Sequence, residues 1–102
     1  MATQIELKGQ NYNGKVDFKV LATVQNELRK QGIKMTIQEM LSSLEEQNLL
    51  VIYEIIIQAI LRCHPQLNRK NLEDKFDFAE ADKIFDFFAR VMTESMPASE
   101  GK

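Results

Sequence analysis

Tryptophan is missing from this sequence, and cysteine, histidine, proline and glycine are scarce, at 1, 1, 2 and 4 of 102 residues. A single cysteine, Cys63, has no internal partner, so this is not a disulfide-stapled secreted scaffold. One cysteine and one histidine are too few to hold zinc. The glycines are scattered and build no phosphate-cradling loop. Charge of one sign is lacking as well: 13 basic residues face 15 acidic ones, for a net charge of −2. Nucleic-acid binders neutralise phosphates with clustered cations, and no predicted helix has a basic face, which also excludes a helix-turn-helix reader. The longest apolar run, Leu49 to Leu61, is too short to span a membrane and carries Glu54 and Gln58. The opening MATQIELKGQ lacks the basic-then-apolar build of a signal peptide, so a cytoplasmic protein is expected.

Catalytic chemistry has little to stand on. Cys63-His64 is the one pairing of nucleophile and base, but catalytic pairs meet in space with a third group orienting the base, not as chain neighbours. The plain reading is a small thiol beside a helix-terminal imidazole. Asp74-Lys75-Phe76-Asp77-Phe78-Ala79 fails as a calcium loop, because Phe76 and Ala79 stand where an oxygen ligand and a glycine belong. No catalytic residue, metal site or cofactor is expected.

What is present is an apolar content of 44%, enough for one packed core at this length. Ile5 and Leu7 alternate with Gln4, Glu6 and Lys8, the period of a half-buried strand. A hairpin over 3–17 follows, with its turn expected at Gly9-Gln10 rather than Asn13-Gly14. That pairing sets Leu7 opposite Tyr12, Ile5 opposite Gly14 and Thr3 opposite Val16.

Helices are expected at about 18–31, 37–46, 49–63 and 78–95. Asp17 caps the first, Phe18, Leu21, Val24 and Leu28 form its inner stripe, and Gly32 ends it. Thr36 and Glu39 have capping-box spacing, with Met35 and Met40 as a hydrophobic staple. A break at Asn48 is favoured over one bent helix, because the apolar pattern there changes from a stripe to nearly all-round. Between Leu49 and Cys63 only Glu54, Gln58 and Arg62 are polar, one i, i+4 row on a central helix that ends at His64-Pro65. The 66–75 connection holds one helical turn around Leu72. Asp77 and Glu80 start the last helix, whose buried stripe is Phe78, Ala81, Ile84, Phe85, Phe88 and Met92. The fold class is α+β, mainly α: a hairpin followed by a compact bundle of about four helices, one domain over 1–95 and a flexible tail over 96–102.

Function then falls to the surface. Leu50, Ile57 and Leu61 lie beside the Glu54–Gln58–Arg62 row, and Phe87 lies beside the polar face of the last helix. They are either edges of the core or apolar groups reserved for a partner or for self-association.

The opening Ile5-Glu6-Leu7-Lys8-Gly9-Gln10-Asn11-Tyr12, followed by Lys15-Val16-Asp17-Phe18-Lys19-Val20-Leu21, resembles the start of phage tail assembly chaperones. In that family a short hairpin runs into a phenylalanine-bearing helix, and the resemblance extends over 3–95. Gly14 departs from it, standing where a larger strand residue is usual, so the second strand is expected to bulge or end early. The resemblance implies a protein that coats and solubilises the tape measure protein in the host cytoplasm. It would help recruit tail tube subunits, associate with itself and leave before the virion is complete. A head–tail joining protein and a regulatory adaptor are the competing classes. The family is often made in two lengths through a −1 ribosomal slip, and Glu100-Gly101-Lys102 is compatible with a slippery codon heptamer there.

Overall fold

The structure, a computed structural model, describes residues 3–95; the expected tail over 96–102 and its slip codons lie outside the described residues. The elements are β1 (Thr3–Leu7), β2 (Gln10–Gly14), α1 (Phe18–Lys30), α2 (Ile37–Glu45), α3 (Leu49–Cys63), α4 (Arg69–Glu73), a 3-10 turn (Phe78–Glu80) and α5 (Ala81–Ser95). This is the expected α+β architecture, with the turn around Leu72 present as the short α4.

β1 and β2 pair antiparallel as Leu7↔Gln10, Ile5↔Tyr12 and Thr3↔Gly14, two residues away from the expected register. The turn is Lys8-Gly9, with φ of +52° and +81°. A two-residue hairpin that follows the strand twist needs positive φ at both turn positions, and glycine takes the second with little strain. A shift of two leaves every side chain on its own face, so Thr3, Ile5, Leu7, Tyr12 and Gly14 are all buried. β2 stops at Gly14 with no bulge in its pairing.

Local signals set the helix ends. Asp17 accepts from the Val20 N–H, and beyond Lys30 the Gly32 and Ile33 N–H groups donate to Arg29 and Leu28. That double bond closes a Schellman end, with Gly32 at φ +86°. The Thr36–Glu39 capping box is complete in both directions. α2 ends in the same motif, Gln47 and Asn48 donating to Leu44 and Ser43, but here a glutamine takes the left-handed position at φ +58°. Asn48 then caps α3, so the break between α2 and α3 is real.

α3 is the central helix, buried nearly all round and packed by α1, α2, α4 and β2, while α5 lies along β1. The Phe87 ring fills the space over Gly14: a Cβ there would stand 2.5 Å from the ring tip and 3.5 Å from the Ala59 backbone. Gly14 thus lets α5 close against the hairpin. Three expected inner residues, Phe18, Phe78 and Phe85, are outside. Phe18 is exposed at the start of α1, where the inner face is Val20, Leu21, Val24 and Leu28. On the last helix the buried residues are Ile84, Phe87 and Val91, while Phe78 and Phe85 are exposed.

Candidate interaction surface

The four sequence-selected residues divide. Ile57 and Phe87 are completely buried, so they belong to the core and the expectation of a surface role is corrected for both. Ile57 lies on a helix surrounded by other elements, and Phe87 occupies the hollow left by Gly14. Leu50 is 39% exposed near the start of α3, beside the more exposed Leu49, and Leu61 is half-buried near its end.

Leu61 forms the floor of a groove of about 200 Å³ between α1 and α3, together with Val20 and Pro65. Lys19, Thr23, Gln58 and Arg62 complete it. Arg62 holds Asp17 at 3.0 Å, and the Lys15 ammonium stands 3.9 Å from the same carboxylate. Burial acts against ionisation of Asp17, but the Val20 N–H and Arg62 outweigh it and keep the carboxyl below its ordinary range.

The 3-10 turn and the last helix carry a second apolar stripe that the sequence signalled and the core uses only in part. Phe78, Ala81, Phe85, Phe88 and Met92 repeat at heptad spacing, next to the buried Ile84, Phe87 and Val91. Phe78 is 97% and Phe85 49% exposed, while Phe88 and Met92 rest partly on the core. The opposite flank of α5 is tied to β1: Arg90 donates to the Gln4 carbonyl at 3.0 Å, and Thr3 to Glu94 at 2.8 Å.

Sequence reasoning missed the role of Glu54. Its row is not a solvent face, because Glu54 is fully buried and Arg69 of α4 donates to both its oxygens, at 2.6 and 2.8 Å. Gln58 adds a bond of 3.0 Å, and Arg69 reaches Glu73 at 3.2 Å. Burial and the Glu73 carboxylate that accepts from it push the Tyr53 phenol well above its ordinary range. The signal was present in the sequence, as the one acid inside the most apolar run. This network locks α4 to α3.

His64 is likewise occupied. Its Nε2 accepts from the Asn13 N–H at 3.0 Å and its ring meets Tyr12 edge-on, so that nitrogen is not free to serve Cys63 as a base. Among the described residues, no three His, Cys, Asp or Glu side chains gather as a metal site would need. No helix among them is long and apolar enough to cross a membrane.

Comparison with known families adds the deciding observation: the description "phage tail assembly chaperone protein, TAC" matches residues 4–99. The chain belongs to the phage tail assembly chaperone family. Its general role is therefore to assist the assembly of phage tails. No curated protein and no solved structure matches. At Gly14 the Phe87 ring takes the room that a strand side chain would need.

Proposed function

We propose that this protein coats and solubilises the tape measure protein in the host cytoplasm, helps recruit tail tube subunits, and is absent from the finished virion. It acts by binding, without chemistry. The observation that carries this reading is the heptad-spaced stripe of α5, where Phe85, Phe88 and Met92 remain accessible on a helix whose other apolar stripe already closes the core. A seam of that spacing suits the apolar face of another helix, which is the surface a long helical protein presents before its tube encloses it. Self-association lets a small domain cover a long rod.

Co-expression with a tape measure protein, a long helical chain, tests the reading. The long protein should become soluble with this chain and stay insoluble with a Phe85→Asp variant that folds normally. Recovery of this chain from purified virions would favour a structural joining protein instead.

A further inference from the structure

Two features of complementary shape and charge face solvent at opposite ends of the hairpin. One is a knob. Phe78 stands 97% exposed in the 3-10 turn, beside Asp77, which is ion-paired to Lys8 at the hairpin tip. One turn further, the exposed Asp82 carboxylate has no cation partner among the described residues. The other is the α1–α3 groove, with its apolar floor of Val20, Leu61 and Pro65. Its lining is basic through Lys19 and Arg62: Arg62 shares the single carboxylate of Asp17 with the nearby Lys15, and the exposed Lys19 has no carboxylate partner among the described residues. Asp17 follows the open end of β2, about 17 Å from the tip at ~3.3 Å per strand residue.

We propose that Phe78 of one copy seats in the α1–α3 groove of a second copy, with Asp82 against Lys19 and Arg62. The proposal rests on the self-association in the reading above and gives it a direction. The two surfaces use different residues, so the contact is head-to-tail, and every copy added still presents one free knob and one free groove. Such an interface builds an open row rather than a closed pair, the geometry that follows a rod. The volume of the groove is of the order an aromatic ring needs, and a ring that leaves water there buries apolar surface on both sides. The acid on the knob and the cations on the rim orient the contact and disfavour knob-to-knob pairing.

The test uses the full chain with two exposed-site variants, Phe78→Ser, which removes the knob, and Lys19→Glu, which turns the rim acidic. Sedimentation over a concentration series should show concentration-dependent growth for the unaltered protein and at least tenfold weaker association for each variant. Melting curves should be unchanged, because both positions are exposed. Mixing the two variants should give a one-to-one dimer and nothing larger, since one brings an intact groove and the other an intact knob. Combining Asp82→Lys with Lys19→Glu in one chain should restore growth, and high salt should weaken it in the unaltered protein.

A variant that assembles like the unaltered protein, or a mixture that stays monomeric, overturns the proposal. So does an unaltered protein that is monomeric throughout; if that monomer still solubilises the tape measure protein, the coating function stands without this contact. Growth through Phe78 with the tape measure protein left insoluble would mean the reverse.

Discussion

Arg69 grips both carboxylate oxygens of the buried Glu54, its Nη1 at 2.6 Å and its Nη2 at 2.8 Å, and so joins a five-residue helix to the centre of the core. A helix that short is not stable alone, so α4 depends on this pair and on Leu72 for its place. Arg69→Met would leave an uncompensated charge at a fully buried position. We expect a loss of about 3 kcal/mol, the low end for a broken buried pair because part of the Arg69 side chain reaches water. Arg69→Lys should lose much of that too, since an ammonium cannot make the two-pronged contact. Glu54→Leu combined with Arg69→Met should recover most of the stability. Urea unfolding of the three variants checks this, and a harmless Arg69→Met would mean that the pair does not anchor α4.

Acid should weaken the fold through two carboxylates. Burial opposes their charge, but Arg69 and Gln58 hold Glu54, and the Val20 N–H and Arg62 hold Asp17, below their ordinary values of 4.5 and 3.8. A carboxyl depressed in the folded state binds its proton more readily when unfolded. Its stabilisation is therefore complete above pH ~4.5 and is lost as the pH falls through the lower, folded values. Stability measured from pH 7 to pH 3 should fall below pH ~4.5, and Glu54→Gln should be less stable at neutral pH with a shallower acid slope. A wild-type chain that gained stability toward pH 3 would falsify this account.

Gly14→Ala should destabilise, although the change is one methyl group on a strand. The new Cβ would meet the Phe87 ring tip at 2.5 Å, so the fully buried ring would have to shift. Overpacking of this kind costs about 1–3 kcal/mol. Phe87→Leu shortens the obstructing side chain, so the double variant should lose less than the sum of the two single changes. Strict additivity in thermal melts would show that the two positions do not touch.

How much of this was legible depended on how local the signal is. The Asp17 and Asn48 caps, the Thr36–Glu39 box and the glycine end of α1 are each set within a few residues of chain, and all could be read. α3 could be placed at the centre because its apolar residues leave no second face. The hairpin register could not come from alternation, since registers two apart bury the same side chains; the backbone demand at Lys8-Gly9 decides it. Glu54 was misread because its partner lies in another helix, and an acid in an i, i+4 row looks the same whether it meets water or an arginine. On α5, two apolar stripes lie side by side and periodicity alone does not say which turns inward. The hollow at Gly14 selects the one that contains Phe87.

Gln47→Gly should stabilise the protein. Gln47 holds the left-handed position that ends α2, at φ +58°, a conformation that puts its Cβ too close to the following carbonyl oxygen. The side chain is exposed, so little packing is lost. Glycine removes the strain but gains freedom in the unfolded chain, which leaves a net increase of about 0.5–1 kcal/mol. A chemical denaturation midpoint that shifts downward would point to an unseen role for the glutamine.

The two stripes of α5 make the last prediction, in which one substitution has opposite consequences two residues apart. Phe87→Asp places a lone carboxylate among Gly14, Ala59 and the rest of the core, and Ile57→Asp does the same on α3. An unpaired buried charge costs several kcal/mol, which is comparable to the whole stability of a domain this size, so both variants should be unfolded at room temperature. Phe85→Asp and Leu50→Asp fall on side chains that already meet water, and should lower stability by less than about 1 kcal/mol. Circular dichroism melts separate the pairs directly. The functional assay then becomes interpretable: only a variant that melts like the unaltered protein can show whether the outer stripe binds the tape measure protein. If Phe85→Asp folds and still keeps that protein soluble, the outer stripe of α5 is not the binding face, and the exposed Leu49 and Leu50 at the start of α3 become the next surface to alter.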